Sequence, residues 1–212
     1  MIKLLGFIDR RADFSVASFS QYWRTTHVLE ALKLKAFIAR YVQNHFWPTP
    51  LDGMARPADG CPQLWFKTPE ALAAMGQSDA YKTGAYLDEP RFMEGRARGV
   101  ALRETVVLPE PHAPAIKVMF LYAPTAYVTV TEFEARHQDH AKPLMLAAPR
   151  AIGHIRSHAL PTPGAPLYAG ADEVWWATHA EFEADWQDRH TPPDFIDVTA
   201  SAGCRVDELR VF

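Results

Sequence analysis

Cysteine is scarce in this chain: Cys61 and Cys204 are the only two in 212 residues. Two unpatterned cysteines make neither a disulfide framework nor a cysteine-based zinc site, and the expected compartment is a reducing cytoplasm. Runs of basic residues are missing as well. With a formal net charge of −3, nucleic acid is excluded as an expected partner. No apolar stretch approaches the about 20 residues of a membrane-spanning helix, so no membrane partner is expected. The apolar opening Met1 to Ile8 is interrupted by Lys3 and ended by Asp9-Arg10-Arg11, too short for a secretory leader. There is no glycine-rich nucleotide loop, no Gly-x-Ser-x-Gly elbow and no Cys-x-x-Cys, which removes the usual support for dinucleotide binding and covalent catalysis. His137 and His140 lack a third ligand at recognisable spacing, while His154 and His158 lie about 13 Å apart on a strand rising about 3.3 Å per residue. No metal and no cofactor are expected.

What the chain does contain is itself, twice. Ile2-Lys3-Leu4-Leu5-Gly6-Phe7-Ile8 reappears as Ile116-Lys117-Val118-Met119-Phe120-Leu121-Tyr122, and Phe19 answers Phe133 at the same offset (116 − 2 = 133 − 19 = 114). Removing one residue within the helix that follows restores the register. His27 then faces His140, and His45 faces His158 (140 − 27 = 158 − 45 = 113). Leu64-Trp65-Phe66 answers Val174-Trp175-Trp176, and Glu104 to Val107 answers Glu208 to Val211. A duplication of this length sets two units, residues 1–108 and 115–212, with the proline-rich 109–114 as linker.

Each unit reads strand, helix, strand, strand, helix, strand. The opening runs are short buried strands bounded by turn or charged residues. Ser15 caps the first helix, and Thr129 or Thr131 caps its counterpart. Second strands span Ala39 to His45 and Gly153 to His158. Proline- and glycine-rich loops follow at Pro48 to Pro62 and Pro161 to Asp172. Third strands span Gln63 to Lys67 and Glu173 to Thr178. Thr68-Pro69-Glu70 is a helix start, with a counterpart helix at Glu181 to Gln187. Final strands span Ala101 to Val107 and Cys204 to Val211. This is the ferredoxin-like order, whose four-stranded sheet leaves one face bare. The predicted class is therefore α+β: two ferredoxin-like βαββαβ units whose antiparallel sheets face each other in an intramolecular dimeric α/β barrel, helices outside. The expected state is a monomer, a pseudo-dimer within one chain.

The motifs Ile2-Lys-Leu-Leu-Gly-Phe-Ile8, Phe19-Ser-Gln-Tyr-Trp-Arg-Thr-Thr-His27 and Arg40-Tyr-Val-Gln-Asn-His45 resemble the EthD domain, a branch of the dimeric α/β-barrel superfamily. The resemblance covers residues 1 to about 108 well and 115 to 212 more loosely. Since the usual family unit is a single domain that dimerises, the chain resembles a fused pseudo-dimer. The second copy departs where His137 replaces the helix aromatic, where one residue is missing before His140, and where His154 and Arg156 replace Tyr41 and Gln43. Superfamily relatives include cofactor-free monooxygenases, polyketide cyclases, dehydratases and haem-handling enzymes.

Histidine supplies the candidate chemistry, since its free pKa suits proton transfer near neutrality. His27, His45, His140 and His158 are the catalytic candidates because the repeat pairs them. Tyr41, Gln43 and His45 alternate along one strand and share a face, as do His154, Arg156 and His158. Tyr22, Tyr41, Trp65, His154, Arg156 and Trp175 are the candidate substrate contacts, with Arg156 suited to an anion and the tryptophans to an apolar or aromatic ligand. The first copy, which keeps the family-like residues, is the expected working pocket. Three functions compete: a cofactor-independent enzyme whose histidine moves a proton on an aromatic or carbonyl-bearing small molecule (cyclase, dehydratase, decarboxylase or monooxygenase type); a binding protein for a small apolar metabolite; and a haem-handling protein. Helix capping and core packing are the structural alternatives for the same residues.

Overall fold

The computed structural model describes every residue except Ala141 and His190. Its elements, in chain order, are β1 (Ile2–Arg10), α1 (Val16–Tyr22), α2 (Val28–Leu32), β2 (Arg40–Phe46), β3 (Gly60–Phe66), α3 (Pro69–Gln77), α4 (Tyr86–Asp88), β4 (Met93–Leu108), β5 (Ile116–Pro124), α5 (Val130–Gln138), β6 (Gly153–Ala159), β7 (Gly170–Trp176), α6 (His179–Gln187) and β8 (Ile196–Arg210). The strands are hydrogen-bonded in the order β1-β3-β2-β8-β5-β7-β6-β4, a closed antiparallel barrel. This is the expected α+β class, of the dimeric α/β-barrel type.

The chain divides into two compact units, neither continuous in sequence. Unit 1 comprises Met1–Pro48, Ala58–Ala101 and Glu208–Phe212; unit 2 comprises Thr49–Pro57 and Leu102–Asp207. In unit 1 the C-terminal residues pair with β2, through Tyr41 N–H to Phe212 O at 2.9 Å and Val211 N–H to Tyr41 O at 3.0 Å. In unit 2 the second half of β4 pairs with β6, from Leu102 opposite Ala159 to Val106 opposite Ile155.

Local chemistry explains most boundaries. Ser15 caps α1 by accepting the Ser18 N–H at 3.0 Å. Of the two candidate threonines, Thr129 caps α5, and Glu132 closes a capping box back onto the Thr129 N–H at 2.9 Å, which satisfies two otherwise orphaned donors. The third strands begin at Gly60 and Gly170, inside what the sequence presents as loop. A proline within β3 is tolerated because its neighbour is glycine: a Cβ on Gly6 would stand 3.0 Å from Pro62 Cγ, and proline lacks only a donor. The final strands begin at Met93 and Ile196 rather than near 101 and 204. Residues 94–99 are all exposed, so they lack the apolar alternation that marks a half-buried strand.

Unit 1 packs two neighbouring apolar groups. One is built on Leu34, Ile38, Tyr41 and Phe66; the other comprises Ile8, Phe19, Trp23, Phe92 and Met93. The unit 2 core is built on Phe120, Tyr122, Phe133, Trp176, Phe182 and Trp186, with Leu51 and Met54 packed into it.

Candidate functional site

The first helix of unit 1 does not run as a plain α-helix. Trp23–His27 forms a π-helical turn between α1 and α2, and Tyr81–Ala85 forms a second one between α3 and α4. Each π turn carries one residue more than an α turn. The helix α5 has no such turn, so the single residue separating the two copies before His140 coincides with the first π turn. His27 is the last residue of that turn, and Asp88 lies three residues beyond the end of the second.

The two turns bring those side chains together. His27 Nδ1 donates to Asp88 Oδ2 at 2.8 Å, and Tyr22 O–H donates to Asp88 Oδ1 at 2.7 Å. His27 and Asp88 are both buried. Phe92 lies against the imidazole at 4.8 Å and stacks on Tyr22 at 5.3 Å between ring centroids. Burial, and then Asp88 as hydrogen-bond acceptor and neighbouring charge, raise the Tyr22 phenol, which therefore stays protonated as a donor. Glu89, the next residue along, pairs with Arg96 at 2.9 Å and accepts from Tyr81 O–H at 3.3 Å; burial raises its carboxyl. Among the described residues His27 Nε2 has no hydrogen-bond partner. A carboxylate on Nδ1 fixes the tautomer that leaves a lone pair on Nε2 and can offset an imidazolium charge.

The other candidates of the first copy occupy a separate network. His45 Nε2 donates to Gln43 Oε1 at 3.1 Å, and His45 Nδ1 accepts from Ser20 O–H at 3.0 Å. Gln43 Nε2 donates to Tyr41 Oη at 3.2 Å and to Trp23 O at 3.1 Å, while Trp23 Nε1 donates to Tyr41 Oη at 3.0 Å. Trp23 packs on His45 at 4.5 Å between centroids. Burial, then the nearby Arg24 charge, lowers the His45 imidazole to about 3. His27 and His45 share no hydrogen-bond partner. Trp65 pairs with Arg40 across the ladder, whereas Tyr41 pairs with Leu64, so Trp65 and Tyr41 lie on opposite faces of the sheet. The Trp65 ring sits between Lys3 Nζ at 5.2 Å and the Arg40 guanidinium at 4.4 Å.

In the second copy the candidates gather around a residue that sequence reasoning passed over. Asp172 is fully buried. It accepts from Tyr122 O–H at 3.0 Å, His137 Nε2 at 3.1 Å, His154 Nε2 at 2.7 Å and Arg156 Nε at 3.0 Å. Burial alone would raise this carboxyl, but the His137 and His154 imidazoles and their hydrogen bonds hold it well below the usual carboxylate range. Arg156 places three of its four remaining N–H donors on the carbonyls of His137, His140 and Lys142. It caps the end of α5 rather than offering a free fork. His158 packs edge-on against His137 at 4.9 Å, and burial, then His137 and Arg156, lowers it to about 4. His140 lies exposed beyond α5, donating from Nδ1 to Arg136 O at 2.6 Å, so it does not occupy the place that His27 holds. Trp175 pairs with Gly153 and lies on the sheet face opposite His154, Arg156 and His158, beneath Lys117 Nζ at 5.0 Å. Among the described residues no three His, Cys, Asp or Glu gather as a metal site would require, and no helix is long and apolar enough to cross a membrane.

Asp88 and Asp172, which hold the histidines of the two copies, are not among the residues that the sequence pattern singles out. The first π turn left one trace in the sequence, the extra residue before His27, although Asp88 itself left none. Asp172 left another, because the proline-rich loop before it ends at a matched glycine, Gly170 opposite Gly60.

Residues 11–96 match the family model of the EthD domain. No curated protein matches the chain in sequence. Among solved structures the chain is similar to an anthrone oxidase-like protein, at a TM-score of 0.55 and 10% identity over 99% of this chain and 93% of that one. It is also similar to proteins described as candidate monooxygenases from Fusobacterium nucleatum (TM-score 0.52, 9% identity, 99% and 93% covered) and Lactobacillus acidophilus (TM-score 0.50, 7% identity, 100% and 93% covered). Identities this low establish the fold and leave the reaction open.

Proposed function

We propose that this chain, whose residues 11–96 are an EthD domain, is a cofactor-independent enzyme in which His27 removes a proton from an acidic C–H or O–H of a small aromatic or carbonyl-bearing substrate. The observation that carries the reading is the Tyr22–Asp88–His27 relay at 2.7 and 2.8 Å, with the imidazole's second nitrogen left without a hydrogen-bond partner among the described residues. In the step, the substrate proton moves to Nε2 and its bonding electron pair stays on the substrate as an enolate or phenolate. Nδ1–H remains bonded to Asp88, whose carboxylate lies against the imidazolium and offsets its charge. Phe92, Phe14 and Tyr22 provide aromatic surface beside the base. Isomerisation, dehydration, decarboxylation or addition of O2 would each begin from the resulting anion. The likeness to an anthrone oxidase-like protein suggests a first probe, the acidic methylene of a tricyclic aryl ketone.

Hydrogen–deuterium exchange at that methylene in D2O, followed by proton NMR, tests the proposal. The native protein should accelerate exchange over buffer. His27→Gln should abolish the acceleration and Asp88→Asn should reduce it at least tenfold. Buffer-level exchange with the native protein across anthrone and a panel of 1,3-diketones would overturn it, and so would full activity in His27→Gln. The finer reading that only the first copy works rests on the exposed His140, and His140→Gln should leave the exchange rate unchanged.

A further inference from the structure

Resting on that reading, we infer that Arg91 is the anion-recognising residue of the same site and that the substrate class is an aromatic carboxylate. Arg91 closes the short turn Glu89–Arg91 that follows Asp88. Its Nη1 stands 3.7 Å from Asp88 Oδ1, beyond hydrogen-bond length, and its side chain is 71% exposed against 8% for the aspartate. Its backbone is held from outside, because Arg11 Nη1 reaches Arg91 O at 3.3 Å and Pro90 O at 3.5 Å. The guanidinium is thus tethered at the base, leans on Asp88 and Tyr22 from one side, and leaves most of its surface exposed.

The neighbouring cations are otherwise engaged. Arg96 pairs with Glu89 and stacks on Tyr86 at 3.6 Å. Arg10 pairs with Asp59 and donates to Phe14 O. Arg11 pairs with Asp13 at 2.8 Å, and Arg24 donates to Ser20 Oγ at 3.1 Å. Asp88 distributes its two oxygens so that His27 takes one while Tyr22 and Arg91 approach the other. A planar guanidinium beside an occupied carboxylate matches a second, incoming carboxylate in two parallel hydrogen bonds. The half-buried rings of Phe14 and Tyr22, edge to face at 6.0 Å, lie beside it as a platform for an aryl group.

Charge balance supports the same assignment. At rest Arg91 and Asp88 cancel. A bound carboxylate adds one negative charge, and proton abstraction would leave a second on the substrate. The imidazolium and the substrate anion form together, so the step adds no net charge to the site, and the guanidinium stands where both Asp88 and the bound carboxylate can share it.

Titration calorimetry with phenylacetate and with its neutral isostere phenylacetamide reads the proposal. Native protein should bind phenylacetate at least tenfold tighter than the amide, with an advantage that shrinks as salt is raised. Arg91→Ala should remove that advantage while leaving amide binding unchanged, and Arg91→Lys should keep part of it. His27→Gln should retain phenylacetate binding even though methylene exchange is lost, which separates failure of the base from failure of the anion site. Binding of neither compound, equal binding of both by the native protein, or unchanged phenylacetate affinity in Arg91→Ala would overturn the assignment.

Discussion

Acid should destabilise this protein through His45, and the size of the effect follows from its network. Both ring nitrogens are used in the neutral form: Nε2–H donates to Gln43 Oε1 and Nδ1 accepts from Ser20. Protonation would place a second N–H against Ser20 Oγ, an oxygen that already accepts from Arg24 Nε. Burial first, and then the Arg24 charge, lowers the imidazole to about 3, against about 6.5 for a free histidine. Between those values the unfolded chain holds a proton that the native state refuses. Stability is therefore full above about pH 6.5, falls as acid is added, and stops responding to this group below about pH 3. Each pH step in that window costs about 1.4 kcal/mol, so acidification from pH 6.5 to 4.5 removes about 2.7 kcal/mol. Against a domain stability of about 5–15 kcal/mol, that is a large share. Urea unfolding across this pH range, with midpoints and slopes measured for the native chain and for His45→Gln, provides the assay. Glutamine keeps one donor and one acceptor but cannot take the proton, so the variant should lose about 2.7 kcal/mol less than the native chain between pH 6.5 and 4.5, with unchanged slopes. Parallel pH curves for the two proteins would refute the argument. His158, lowered to about 4, should contribute in the same direction, and His158→Gln should flatten the remaining slope.

Asp172→Ala removes the acceptor for four buried donors and leaves the buried Arg156 uncompensated. It should cost about 3–5 kcal/mol in chemical denaturation, and a loss below about 1 kcal/mol would show that water replaces the carboxylate. Gly170→Ala would set a methyl 2.7 Å from Phe133 Cε1 and 3.0 Å from His137 Nδ1; an overpacking cost of about 1–3 kcal/mol is expected, and an unchanged melting temperature would contradict it. Deleting Thr25 from the first π turn should give a plain α-helix like α5 and swing His27 by about 100° relative to Asp88. Cooperative melting should survive while methylene exchange falls by about 10² or more, and retained exchange would mean that the dyad is not the base.

The order of elements in each half was legible because strands and helices leave local marks: apolar runs, a capping serine or threonine, proline at a helix start. Matched landmarks at offsets of 114 and 113 carried that order into a barrel expectation, since a ferredoxin-like sheet cannot leave one apolar face to water. Two of the three EthD-like motifs, Phe19 to His27 and Arg40 to His45, lie within the residues 11–96 that the family model matches, and Ile2 to Ile8 precedes them. What sequence could not decide was who meets whom. His45 and His27 looked like a pair, but the two strand and helix faces that hold them deliver one to Gln43 and Ser20 and the other to Asp88, 61 residues away. Arg156 read as a free anion anchor, but only folding could show the carbonyls of His137, His140 and Lys142 converging on it. Trp65 and Tyr41 were both candidate substrate contacts yet face opposite sides, because the cross-strand register sets Trp65 against Arg40 and Tyr41 against Leu64. Local free energies fix the elements along the chain. The contacts that make a base or an anion site are long-range, and those were decided by tertiary packing alone.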